Sequence, residues 1–259
     1  MHLLLDNPEL NFVVAFAVLL LAALIGTRLR ARHVSLDDAG KEDLKLILSA
    51  ALTLLSLIIG FTFSMAVNRY DHRKALEARE ANAIGTAYER AELLPSSQIR
   101  HVEELLRAYT NERISFYAAP DQAAEVKILA DTRALQRKLW DAVEAPAISH
   151  PNSVTALIAA GMNDVFDSER TTQAAWWDRI PLTAWALMGL IATFACVLLG
   201  YSAQPSAKPR RIYVVLPLLL AVASFMIADL DSARGGPIQV TTANLERLTQ
   251  SLRHAQASP

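Results

Sequence analysis

Four long apolar runs dominate this sequence, at residues 10–27, 46–67, 182–201 and 212–230, with Asp229 the one charged residue inside them. Each meets the ~18 residues that a helix rising about 1.5 Å per residue needs to cross roughly 30 Å of hydrocarbon. The composition agrees. Of 259 residues, 53% are apolar and 20% charged, against roughly 45–50% and about a quarter in soluble domains. A soluble enzyme is thereby excluded, and the expectation is an all-α integral membrane protein with four transmembrane helices. The first run is read as a retained span rather than a secretory signal, because residues 1–9 carry no Lys or Arg and the run exceeds a typical signal core.

Between the second and third runs, residues 68–181 are rich in Ala, Glu, Arg and Leu and read as a helical soluble insertion. The division expected is a transmembrane hairpin over 1–67, this insertion over 68–181, a second hairpin over 182–230 and a polar tail over 231–259. Pro95, Pro120 and the stretch from Pro146 to Pro151 divide the insertion into about four helices. Ser96, Ser97, Asp121, Asn152 and Ser153 follow those breaks as expected N-caps. Ile99, Val102, Leu106 and Tyr109, with Ile114 five residues further on, and then Leu135, Leu139 and Val143, follow a three-to-four spacing, so each helix has one face to bury. That face meets either the neighbouring helices of an antiparallel bundle or a partner subunit. Trp176, Trp177, Trp185, Tyr201 and Tyr213 are expected as headgroup-level anchors of the last two spans.

Charge restricts the partners. Lys plus Arg total 25 and Asp plus Glu 26, a net charge of −1 that offers nucleic acid nothing. The single Cys196 cannot form an intrachain disulfide or a thiolate cage. Arg28, Arg30, Arg32, Lys41 and Lys45 in one short loop, and Lys208, Arg210 and Arg211 in the other, would face the cytoplasm under the positive-inside rule and put the insertion outside. Arg69, Arg73, Lys74, Arg79, Arg170, Arg179 and Arg234 crowd the opposite ends of the spans and weaken that bias.

The second span is the most informative. Ser49, Thr53, Ser56, Gly60 and Ser64 form a stripe of small residues, which suits either close helix packing in lipid or the lining of a water-accessible path. Thr53, Leu57 and Phe61 fall four apart on one edge, as a narrow constriction would require. Arg69 and Arg73 follow the span and would bind headgroups or, in a ring of copies, attract anions to a mouth. Asp229 reads as an interfacial carboxylate, hydrated or paired with Arg234, and Pro217 as a kink. The six histidines lack a paired helical spacing, Glu103 and Glu104 are adjacent, and neither a phosphate-cradling Gly loop nor a Gly-x-Ser-x-Gly elbow occurs. No catalytic, metal or cofactor site is assigned.

The run Gly60-Phe61-Thr62-Phe63-Ser64-Met65-Ala66-Val67-Asn68-Arg69-Tyr70, followed by Glu77-Ala78-Arg79, resembles the pore-helix segment of bestrophins. The order of two spans, helical insertion, two spans and tail is similar too. Residues 60–95, with Glu80 to Thr86, and Asp229-Leu230-Asp231 with Arg234 and Gly236, look closer still to a bacterial membrane family labelled bestrophin-like. The resemblance implies a homopentameric channel for chloride or other small anions, its central pore lined by the second span. In bestrophins three apolar rings form a neck. The last ring matches Phe61, and stepping back by four gives Leu57 and Thr53, where Thr53 departs by being polar. Asp229 and Asp231 supply two acids against the six to eight oxygens that calcium takes, so no calcium site is assigned. The resemblance places the insertion in the cytoplasm, the side adopted here over the loop count. The Ala- and Arg-rich, Lys-poor composition points to a bacterial inner membrane. The alternative from another class is a non-conducting scaffold or sensor that acts through its helical insertion.

Overall fold

The computed structural model describes residues 7–32, 37–202 and 212–257; Lys208, Arg210 and Arg211 lie outside them. Every regular element among the described residues is an α-helix: α1 (Pro8–Arg32), α2 (Asp38–Ala91), α3 (Ser96–Tyr117), α4 (Gln122–Ser149), α5 (Ser153–Trp177), α6 (Leu182–Tyr201), α7 (Ile212–Asp231) and α8 (Ala243–Ala257). Four helical segments, those carrying α1, α2, α6 and α7, are long and apolar enough to cross a membrane. The apolar run of 46–67 is only part of α2, which continues for 54 residues because no proline interrupts it before Pro95. The chain divides into two compact units, residues 1–70 with 179–239, and residues 71–178 with 240–259.

In the first unit α1 packs on α6 and α7. Lipid is as apolar as Leu, so helices gain little from burying Leu against Leu and associate instead where small residues allow backbones to touch. Here those residues are Ala22, Ala23 and Gly26 on α1 and Ala192, Cys196 and Gly200 on α6, all buried. A Cβ on Gly26 would strike the Val197 carbonyl, and one on Gly200 would strike the carbonyl of Ala23. From α2 Leu55 and Ala66 are buried in this core, with Leu52, Ile58, Ile59, Val67 and Tyr70 packed against it, and Trp185, Met188, Ile227 and Leu230 join them.

The end of α7 is tied to the start of α6 through backbone groups. Asp231 accepts from the Ile180 N–H at 3.1 Å, and Arg179 donates to the Asp231 carbonyl at 2.9 Å. Asp229 is fully buried and accepts from the Ile238 N–H at 3.4 Å, which corrects the expectation of a hydrated interfacial carboxylate. Gly236, at φ +79°, passes so close that a Cβ there would meet Asp229 Oδ1. Trp185 also departs from its expected place. With 9% of its surface exposed it belongs to the core rather than to the headgroup layer.

In the second unit residues 71–91 of α2 accompany α3, α4, α5 and α8. Asp121 accepts from the Ala124 N–H at 2.8 Å, and Asn152 forms a reciprocal capping box with Thr155. Ser96 is not a cap. Pro95 takes that position without a side-chain bond, having no N–H of its own to satisfy. Pro146 is accommodated inside α4, which runs on to Ser149. Val102, Leu106, Tyr109, Leu139 and Val143 are buried, as their spacing predicts. Trp176 is buried too, in edge contact with Tyr117 at 5.0 Å and tilted on Phe116 at 5.3 Å, instead of anchoring at headgroups. Trp177 is exposed.

A charged cluster sits in this core. Arg113 and Glu80 have no exposed surface and form an ion pair, and Glu169 lies 3.7 Å from the same guanidinium. The Tyr117 hydroxyl donates to Glu80 at 3.2 Å, and Gln136 donates to Glu169 and to the Tyr109 hydroxyl at 3.4 Å each. Burial works against the charge of Arg113, but Glu80, with Tyr109 and Glu169 adding to it, more than offsets this and holds the guanidinium protonated above its usual range. Burial pushes both phenols upward, so Tyr109 and Tyr117 remain neutral. Glu77, one turn before Glu80, accepts from Asn244 N–H at 2.9 Å, Asn244 Nδ2 at 2.6 Å and Leu245 N–H at 3.0 Å, and so fastens the N-terminus of α8.

Two predictions follow from these contacts. Gly200→Val should destabilise the detergent-solubilised protein by about 1–3 kcal/mol through overpacking against α1, read as a lower melting temperature. Gly189→Ala, where a Cβ meets nothing within 4 Å, should leave it unchanged. Arg113→Met should cost about 3–5 kcal/mol by stranding two buried carboxylates, and adding Glu80→Gln should restore part of it in the same unfolding measurement.

Candidate functional site

The residues singled out on the second span lie on one side of α2. At about 100° per residue, Ser49, Thr53, Ser56, Leu57, Gly60, Phe61 and Ser64 fall within an arc of roughly 140°. All seven are exposed. Leu55, Thr62 and Ala66, the buried positions of the apolar run, fall on the opposite side, centred about half a turn away by the same rotation. The small-residue stripe is therefore not the surface by which this chain packs its own helices. The packing stripes are those of α1 and α6.

A side chain at Gly60 would meet nothing within 4 Å. Next to it Leu57 exposes 53% and Phe61 64% of their surfaces, large values for apolar residues on a helix that also has a packed face. Leu54, Phe63 and Met65 extend the exposed arc. The hydroxyls on this face are engaged with their own helix. Ser49 donates to the Leu46 carbonyl at 3.0 Å, Thr53 to that of Ser49 at 2.9 Å, and Ser56 to that of Thr53 at 2.8 Å. Such back-bonding satisfies a hydroxyl proton in a low-dielectric setting and leaves its lone pairs outward. The face thus offers acceptors, and it offers donors only when the hydroxyls rotate away from those carbonyls.

The two arginines separate. Arg69 is half-buried in the first unit, whereas Arg73 is 1% exposed within the second. A guanidinium buried in its own chain is shielded from headgroups and from a pore mouth, and Arg69 is the more accessible of the two. Sequence reasoning missed the chemistry beyond them. Glu77, Glu80 and Arg113 carry the buried polar contacts of the second unit, and the signal was charges standing on otherwise apolar helical stripes. Among the described residues no three His, Cys, Asp or Glu side chains gather into a metal-holding group.

Solved structures share this fold. A crystal structure of a bacterial bestrophin homologue from Klebsiella pneumoniae, in a point-substituted form, is 12% identical, with a TM-score of 0.68 over 95% of this chain and 97% of that one. A second structure of that homologue, phased on zinc, gives 12% and 0.63 over 95% and 99%. A structure described as a membrane protein gives 11% and 0.66 over 95% and 98%. At these identities the likeness is one of fold. No curated protein matches the sequence. The model of the bestrophin-like domain, however, matches residues 12–245, nearly the whole chain. With its four candidate spans and its matching fold, the protein is an integral membrane protein that belongs to the bestrophin-like family.

Proposed function

We propose that the protein is an oligomeric anion channel, a pentamer if it follows the bestrophin pattern, in which α2 of each copy lines a central pore. The observation that carries this reading is the division of α2 into two faces. One is packed through Leu55, Thr62 and Ala66; the other carries Ser49, Thr53, Ser56, Gly60 and Ser64 with Leu57 and Phe61 and is left uncovered by its own chain. Copies arranged about an axis would cover it and enclose a path that is polar where the hydroxyls lie and constricted where Leu57 and Phe61 project. The exposed Leu54, Phe63 and Met65 at the edges of that face would meet neighbouring copies. A ring of Arg69 would raise the local anion concentration at one mouth. Residues 71–178, with their charged surface and buried ion-pair cluster, would form a helical domain outside the hydrocarbon on the cytoplasmic side of a bacterial inner membrane.

Chloride flux from proteoliposomes tests the reading. The wild-type protein should release chloride. Phe61→Ala should raise that flux severalfold by removing the bulkiest side chain of the constriction, and Arg69→Ala should lower it. Val126→Ala, at an exposed site of the second unit, should change nothing. A well-folded oligomer that passes no chloride, or a monomer by mass in detergent, would leave instead a non-conducting scaffold acting through its helical domain.

A further inference from the structure

The first unit contains a pocket of about 310 Å³ enclosed by α1, α2, α6 and α7, at the lower end of the ~300–1,000 Å³ range of small-molecule sites. Its walls are mostly apolar, with Leu55, Met188 and Ala192 among them, and its polar groups are Asn11, Ser224, Thr193 and the indole of Trp185. Gly189 lines it as well, and a Cβ placed there meets nothing within 4 Å. Two of the polar groups satisfy each other, since Ser224 donates to Asn11 Oδ1 at 2.7 Å. Trp185 is different. It is 9% exposed, and its Nε1–H is buried with no acceptor among the described residues. That nitrogen is closed off by its neighbours, so the ring lines the pocket through its carbon atoms.

We infer that this pocket takes a segment of an acyl chain of a membrane phospholipid, held by its apolar walls. Trp185, Gly189 and Ala192 stand at i, i+4 and i+7 on α6, a strip of about 10 Å at ~1.5 Å per residue. That is the length scale of a chain segment lying along a helix below its ester. All four walls are candidate spans, so the medium around the opening is lipid, and acyl chains are the ligand present there at solvent concentration. An apolar chain fits the apolar walls, and the open space beside Gly189 gives it room. The inference requires only that these helices lie in the bilayer, and it stands whether or not α2 conducts.

The test uses the full chain in liposomes containing phosphatidylcholine with a diazirine midway along one acyl chain, irradiated and mapped by mass spectrometry. Adducts should concentrate on Leu55, Met188 and Ala192 relative to Leu187, Leu190 and Phe194, which simply face outward. Gly189→Leu, which fills the space, should cut the pocket adducts severalfold and leave the outward ones unchanged. Pocket labelling absent in the wild type, as a second copy seated there would cause, overturns the inference. So does labelling no denser than on the outward residues, or labelling that survives Gly189→Leu. The wild-type map decides the matter even if a variant fails to fold.

Discussion

In a bilayer, apolar side chains gain little by leaving lipid for one another, so the transmembrane part of this protein depends on where backbones can touch. Gly26 and Gly200 supply that contact between α1 and α6, each facing a carbonyl of the other helix where a Cβ would collide. The small residues that precede them, Ala22 and Cys196, continue the seam one turn away on each helix. Once α1 and α6 are joined at this distance, α7 packs on α1, and the turn after α7 is clasped by Asp229, Asp231 and Gly236.

The consequence for α2 is that its own chain covers one side of it and leaves the other open. Leu55, Thr62 and Ala66 enter the packing, and the face with the greatest content of hydroxyls and large apolar side chains remains open. A helix that is apolar, long enough to span and exposed over much of its circumference requires lipid, further copies of the chain, or an enclosed path to cover it. The proposed channel uses all three. The second unit is held by other means. Its helices bury Glu80, Arg113 and Glu169 together with two neutral tyrosines, an arrangement that confers little net stability over an apolar core but makes the loss of any one partner costly. Glu77 adds α8 to the same unit by accepting three hydrogen bonds at its N-terminus.

Much of this was legible in the residues. Uncharged runs of sufficient length locate the candidate spans, because an unsatisfied backbone is too costly in hydrocarbon for any alternative. Asp121 and Asn152 cap helices, because short polar side chains after a proline break have few other uses. The apolar periodicity of Val102, Leu106 and Tyr109 gives their buried face correctly. Arg113 stands on that same stripe, four residues past Tyr109, yet its charge alone gave no sign that Glu80 and Glu169 come from other helices to meet it. Trp176 and Trp185 read as headgroup anchors because amphipathic rings beside a span usually are; here tertiary contacts bury both. The tail read only as polar, and α8 within it becomes a helix of the second unit through Glu77, a partner more than 160 residues away in the chain.

The sequence by itself determined that the chain is helical, that it enters a membrane and that its second span carries a stripe of small and hydroxylated residues, since hydropathy and helical period are local properties. Only the tertiary structure decided which stripe of small residues brings helices together. Ala22 to Gly26 and Ser49 to Ser64 look alike as patterns, and they differ in what stands opposite. Against Gly26 there is a carbonyl of α6, and against Gly60 there is nothing within reach of a side chain. That distinction is a matter of distances between segments remote in sequence, and it separates a packing surface from an open one.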